Sequence, residues 1–262
     1  MIFPFSGIIM RTKFFREGKR MYAIQTVELT KKYKDTIAVD RLNLQVKKGE
    51  LFSLLGVNGA GKTTTIKMLS CLTQPTAGDA FLSGKSICKD PSGVKSEIAV
   101  SPQETAVAPG LTVWENLALM WGVCQGTKTG RTEKITELAQ LLGLESVLQK
   151  KAGRLSGGWQ RRLSIAMALI SQPQILFLDE PTLGLDILAR NDLWELIRSL
   201  KGRVTIILTT HYMEEAEALS DRVGIMKEGK LLACDTVDGI KAMAGTDDFS
   251  EAFVRIVKGV AE

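Results

Sequence analysis

The feature that most constrains this chain is the run "LFSLLGVNGAGKT" at 51–63. The apolar "LFSLL" predicts a buried strand, and helical periodicity begins near Lys62. "GVNGAGKT" at 56–63 therefore matches G-x-x-x-x-G-K-[ST] in the strand-to-helix context that the motif requires. Gly56, Gly59 and Gly61 let such a loop wrap tightly, so that backbone N–H groups point inward at phosphate oxygens. Lys62 would reach the β- and γ-phosphates, and the Thr63 hydroxyl would ligate Mg²⁺. The helix start adds roughly half a positive charge aimed at the same anion. These residues predict a nucleoside-triphosphate site.

Such a site needs an acidic element for its metal. In "ILFLDEP" at 175–181, four apolar residues predict a buried strand that delivers Asp179 at its carboxyl end, where open α/β sheets bind ligands. Asp179 is expected to be the metal-side carboxylate, and Glu180 beside it is placed to polarise water.

Charge and composition remove other classes. The chain has 262 residues and a net charge of +5, but Arg11, Lys13, Arg16, Lys19 and Arg20 against Glu17 concentrate +4 in the first 20 residues. The remaining body is nearly neutral, which argues against a nucleic-acid partner. Residues 1–20 place their apolar run before the basic cluster, the reverse of a secretory signal. They read as a disordered extension; a weak membrane-surface contact, or a true start at Met21, are the alternatives. No apolar run approaches the ~20 residues of a transmembrane helix. Cys71, Cys88, Cys124 and Cys234 are widely spaced with no CxxC pair, which disfavours zinc and a disulfide framework.

Short apolar or β-branched runs alternate with helical periodicity, as in an α/β protein. Expected strands are 23–29, 42–46, 51–55, 79–82, 98–101, 175–178, 204–208, 222–226 and 231–235. Expected helices begin near Lys62, Ala189 and Met213. Strands cease between Val113 and Ser171, where helices take over. "TVWE" at 112–115 is a capping box, and Val113, Leu117, Met120, Trp121 and Cys124 follow on one helical face. A second helix is expected over Glu133–Leu142. Trp114 falls off that face and is the candidate for contact with a partner.

The class of triphosphate site is decided by "LSGGWQ" at 155–160, followed by a helix-forming run. Ser156 can cap that helix, and Gly157 and Gly158 expose amides at its start, giving a second anion-binding terminus. Two phosphate-binding helix starts for one site suggest a head-to-tail dimer, each chain's second terminus closing the other's site.

With these motifs in order, the sequence resembles the ATP-binding-cassette (ABC) transporter nucleotide-binding subunits from about Tyr22 to Asp235. Gly56–Thr64 resembles Walker A, Gln103 in "SPQE" the Q-loop, Leu155–Gln160 the signature, Ile175–Glu180 Walker B, "LGLD" at 183–186 the D-loop, and His211, the sole histidine, the switch histidine. The resemblance implies a P-loop NTPase core with an antiparallel β subdomain and an inserted helical subdomain at about 104–171, within an ATPase domain of 21–235. A short helical tail would follow at 236–262. ATP would contact Tyr33 (adenine stacking), Gly56, Asn58, Gly59, Ala60, Gly61, Lys62, Thr63 and Thr64, and, across a dimer, Ser156, Gly157, Gly158, Gln160 and Asp186. Thr63, Gln103 and Asp179 would serve Mg²⁺, and Glu180, His211 and Gln103 would serve catalysis, with His211 sensing the γ-phosphate.

The resemblance further implies an ATPase subunit, cytoplasmic and peripheral on the inner membrane face, that powers a separate integral membrane permease and pairs with a second nucleotide-binding subunit. "QETAVAPGLTVWENLALMWGV" looks most like bacterial ABC-2-type exporters of the drug-resistance and sodium-efflux kind. Fewer than 30 residues follow Asp235, too few for the regulatory domain of many importers, which favours export. Trp159 and Ile187 depart from the family pattern, where a smaller or polar residue and a proline are usual. A soluble ABC ATPase acting on ribosomes or DNA is the rival from another class. It is disfavoured because only 93 residues separate Lys62 from Leu155, which leaves no room for a long coiled coil. A catalytically silent cassette is disfavoured by the presence of Lys62, Gln103, Asp179, Glu180 and His211.

Overall fold

A computed structural model describes residues 22–125 and 129–259. The expected N-terminal extension, Met21, and the last three residues of the expected tail, 260–262, lie outside the described residues. The chain runs β1 (Tyr22–Tyr33), β2 (Thr36–Leu42), β3 (Gln45–Lys47), β4 (Leu51–Gly56), α1 (Lys62–Leu69), β5 (Ala77–Leu82), β6 (Lys85–Ser86), α2 (Pro91–Lys95) and β7 (Ile98–Ser101). It continues through α3 (Val113–Gln125), α4 (Arg131–Leu141), α5 (Gly157–Leu169), β8 (Ile175–Asp179), α6 (Ile187–Leu200), β9 (Thr205–Thr210), α7 (Met213–Leu219), β10 (Arg222–Lys227), β11 (Lys230–Asp235), α8 (Val237–Ala244) and α9 (Phe249–Lys258).

Two sheets result. One has six strands in the order β11-β10-β4-β9-β8-β7, parallel except for the β10–β11 hairpin. The other is antiparallel, ordered β2-β1-β5-β6 with β3 also on β1. Every residue of β4, β8 and β9 is buried, which explains why these strands read as continuous apolar runs rather than as alternating ones.

The two-residue period of a strand divides these residues between separate cores. Ile175 and Phe177 of β8, with Ile207 of β9, pack toward α1 and the antiparallel sheet. Leu176 and Leu178 of β8, with Ile206 and Leu208 of β9, pack on the opposite face against α3, α5 and α6. A third cluster seals the β10 side, where Phe249, Ala252, Phe253 and Ile256 of α9 cover Val223 and Ile225. This arrangement leaves the carboxyl ends of β4, β8 and β9 side by side.

Three expectations are corrected. Residues 42–46 are not one strand: the chain bends at Asn43, where the Thr26 hydroxyl donates to the Leu42 carbonyl and accepts from the Leu44 N–H, both at 2.8 Å. Trp114 is half-buried against the helical core, its backbone N–H donating to the Leu148 carbonyl at 3.0 Å, while Leu119 and Val123 are the exposed apolar residues of α3. Cys124, expected on the buried face, is exposed. The capping box is present as a reciprocal pair: Glu115 N–H donates to Thr112 Oγ1 at 3.1 Å and Thr112 N–H to Glu115 Oε2 at 2.7 Å.

Candidate functional site

The loop between β4 and α1 lines a cavity of about 420 Å³ together with Ala38, Gln103, Glu180, Leu183 and His211. Its glycines are required by contact as well as by conformation. Gly61 has φ +104°, and a Cβ there would collide with the Ala38 carbonyl oxygen. A Cβ on Gly56 would strike the Met226 carbonyl oxygen of the neighbouring strand. Only glycine lets the loop close this tightly around a concave row of amides. Asn58, Gly59, Ala60, Gly61, Lys62, Thr63 and Thr64 all border the cavity.

Lys62 Nζ is buried and donates to the carbonyls of Gly56 at 2.6 Å and Val57 at 3.2 Å, with Glu180 Oε1 at 3.5 Å. Burial draws the ammonium below its ordinary range, and the Glu180 carboxylate opposes that shift. At the end of β8, Asp179 Oδ1 accepts from Thr209 Oγ1 at 2.5 Å and from Thr63 Oγ1 at 3.3 Å. Glu180 Oε2 accepts from His211 Nδ1 at 2.5 Å, so the single imidazole lies at the end of β9 beside the carboxylate. Glu180 adopts φ 49°, a left-handed backbone that non-glycine residues rarely hold. Its N–H is fixed there by the Thr209 carbonyl and hydroxyl, both at 3.1 Å.

Gln103 reaches the cavity through a support that sequence reasoning missed. Arg161, on the second turn of α5 and 4% exposed, donates to the carbonyls of Pro102 at 2.6 Å and Gln103 at 2.5 Å. Thr209 and Glu215 were likewise missed. Their partners Asp179 and Thr182 lie 30 and 33 residues away in sequence, and no local pattern announces them.

The remaining predicted residues stand apart from this cavity. Ser156 caps α5 without a side-chain hydrogen bond, and Ser156 and Gly157 are exposed. Gln160 turns back into its own loop, its Nε2 donating to the Ala152 and Leu155 carbonyls, both at 3.2 Å. Asp186 caps α6, its Oδ1 accepting from Ala189 N–H at 2.9 Å. Tyr33 is partly exposed on β1, with Lys31 Nζ 4.9 Å from its ring centroid. Trp159 packs on its own helical core, with the Arg162 guanidinium 5.3 Å from its ring.

These residues fit a magnesium-bound triphosphate. A buried lysine and a row of loop amides supply donors, and the Asp179 carboxylate and Thr63 hydroxyl offer the one or two oxygens that Mg²⁺ takes from protein when phosphates complete its shell.

A family model described as "ABC transporter" matches residues 39–183. The probable multidrug ABC transporter ATP-binding protein YbhF of Escherichia coli (strain K12) is 39% identical over 258 residues, covering 96% of this chain and 44% of its own length. The doxorubicin resistance ATP-binding protein DrrA of Mycobacterium tuberculosis is 40% identical over 226 residues, covering 85% of this chain and 67% of its own. The chain thus spans less than half the length of the first of these relatives. Among solved structures, a dimeric post-hydrolysis state of the ATP-binding cassette MJ0796 bound to ADP and Pi superposes with TM-score 0.73 at 27% identity, covering 81% of this chain and 98% of that one.

The chain belongs to the ABC transporter ATP-binding family, and its fold is that of an ABC ATPase nucleotide-binding domain. Among the described residues no helix is long and apolar enough to cross a membrane.

Proposed function

We propose that this chain is the ATP-hydrolysing subunit of an exporter, peripheral on the cytoplasmic face of the membrane and coupled to a separate ABC-2-type permease. Residues 21–235 form the cassette, with a helical subdomain at about 104–171, and 236–262 form a tail. Two such subunits sandwich two ATP molecules between the Gly56–Thr64 loop of one and Ser156–Gly158 of the other, with Gln160 and Asp186 at that junction and Tyr33 stacked on adenine. The names of the relatives, which speak of multidrug and doxorubicin resistance, support export. The short interval between Lys62 and Leu155 and the nearly neutral body weigh against the ribosome- or DNA-acting rival.

One observation carries the enzymatic reading. Glu180 is held between Lys62 and His211 at the cavity lined by Asn58–Thr64, with its carboxylate buried and its backbone fixed. Lys62 exchanges its loop carbonyls for phosphate oxygens, and Thr63, Gln103 and Asp179 hold the metal side of the triphosphate. Mg²⁺ held by those residues would supply neutralisation of the charge that develops on the triphosphate. Glu180 accepts the proton of the attacking water, while His211 holds that carboxylate in place and reports on the γ-phosphate.

General-base assistance is worth about 10²–10⁴ in rate, so Glu180→Gln should lose turnover by that factor, bind ATP normally and accumulate an ATP-dependent dimer. Steady-state hydrolysis and sedimentation in ATP read both; undiminished turnover sinks the assignment. Affinity purification from membranes tests the partner, where recovery of ribosomes or DNA in place of an integral membrane protein would favour the rival.

A further inference from the structure

Glu215 lies on α7, four residues beyond His211, and is fully buried (0% exposed). A carboxyl group in such a place is costly unless donors converge on it. Two converge on one oxygen: Thr182 Oγ1 donates to Glu215 Oε1 at 2.8 Å and Trp194 Nε1 donates to it at 3.1 Å. The other oxygen, Oε2, is buried with no hydrogen-bond partner. Burial pushes this carboxyl above the ordinary range and Glu180 adds to the rise, while the side chains of Thr210, Thr182 and Trp194 act against it.

The partners belong to three segments that must agree with one another. Thr182 sits in the compact turn after β8, where Leu183 N–H donates to the Glu180 carbonyl and Leu185 N–H to the Thr182 carbonyl, both at 3.2 Å. Trp194 is on α6, the helix capped by Asp186. Glu215 itself continues from the end of β9, where Tyr212 N–H donates to Thr210 Oγ1 at 2.9 Å and Ala216 N–H to the Tyr212 carbonyl at 3.3 Å. A single buried oxygen therefore joins the backbone that carries Glu180 to the backbone that carries His211. The side chains of those two residues meet at 2.5 Å, and Glu180 holds φ 49°, so their contact depends on both backbones being fixed.

We propose that Glu215 is a positioning residue whose Oε1 locks the turn after β8 onto the segment that carries His211, setting the Glu180–His211 geometry used in ATP hydrolysis. This rests on the ATPase reading above. Thr182→Val keeps the side-chain shape and removes one donor from the latch. Glu215→Gln keeps an acceptor oxygen for Thr182 and Trp194, and Glu215→Ala removes the latch altogether.

The test is steady-state ATP hydrolysis by the full chain, with thermal melts of each protein. A small misplacement of reacting groups can cost up to about 10²-fold, so Thr182→Val and Glu215→Ala should lower kcat by about tenfold or more, with KM for ATP within about twofold. Glu215→Gln should recover kcat to within about threefold of wild type, because its amide oxygen still accepts from Thr182 and Trp194, whereas Thr182→Val, which keeps the shape and loses the donor, separates the latch from packing alone. If Glu215→Ala fails to fold, Thr182→Val decides. A folded Thr182→Val with kcat within about twofold of wild type, or a Glu215→Gln as impaired as Glu215→Ala, would overturn the proposal. A wild-type chain that does not hydrolyse ATP would remove the functional reading and this proposal together, whereas a hydrolysing wild type beside an unimpaired Thr182→Val removes this proposal alone.

Discussion

Two glycine-rich helix starts, at Lys62 and at Gly157, read alike in the sequence and differ in the folded chain. The first is enclosed: its loop borders a cavity completed by Gln103, Glu180 and His211, and its lysine is buried. The second is open: Ser156 and Gly157 face outward, and the segment that meets Gly157 and Gly158 through Leu185 and Ala189 carries Ile187 and Leu188, 73% and 76% exposed. Large apolar side chains at that exposure, next to free helix-start amides, describe a surface made to be covered. The difference is one between an enclosed site and an open face on the same chain, the division that the proposed head-to-tail dimer requires.

The contrast can be broken at either end. Lys62→Ala removes a buried charged donor, a truncation that typically costs at least about 2–3 kcal/mol, so ATP affinity should fall by about 10²-fold in a binding titration with the isolated chain. Affinity retained would mean that the enclosed loop is not the phosphate site. Gly157→Asp places a carboxylate in the positive field of the open helix start, where it takes the place of the partner's phosphate; losing an anion interaction of up to about 2 kcal/mol predicts a ten- to thirtyfold loss of turnover. Binding by the single chain should stay within about threefold, because that residue does not border its own cavity. If binding and turnover fall together, the two starts serve one site within one chain. Ile187→Pro is the gentlest probe. Ile187 is the first residue of α6, where a missing N–H is tolerated, and Asp186 before it is already extended at φ −67°, ψ 169°. A gain of about 0.4–1 kcal/mol in denaturant unfolding, with turnover within about twofold, would mark this edge of the open surface as free of backbone strain. A loss would show that the backbone there is held in some other way.

The sequence made the enclosed half legible because its chemistry is local. Strand, glycine spacing, lysine and threonine fall within 13 residues, and the strand carrying Asp179 announces itself by burial on both faces. Elements whose form depends on distant partners were less legible. β2 is an edge strand with mixed exposure and no clean alternation, so Thr36–Leu42 gave no period to read. The bend at Asn43 is made by the Thr26 hydroxyl, 16 and 18 residues away from its two partners. The five-residue α2 was too short for periodicity, although Asp90 before Pro91 is a capping signal that could have found it. Helical spacing assigned the correct core residues Val113, Leu117 and Trp121 on α3 but misjudged Trp114, because a neighbouring loop folds over it. At the site, Asn58–Thr64, Gln103, Glu180 and His211, all named from motifs, border the cavity. Arg161, Thr209 and Glu215 hold backbones and side chains in place, and only the folded chain brings them there.

The left-handed backbone at Glu180 has a consequence for anyone who would stabilise this protein. Glycine is the residue that such a φ favours, and removing strain of this kind typically returns on the order of 1 kcal/mol. A selection for heat resistance alone would therefore be drawn toward replacing the carboxylate proposed above as the general base, and on that proposal the sturdiest clones from such a screen would be the dead ones. Position 180 is where thermostability engineering and function pull in opposite directions, and a library built on this scaffold should leave it fixed.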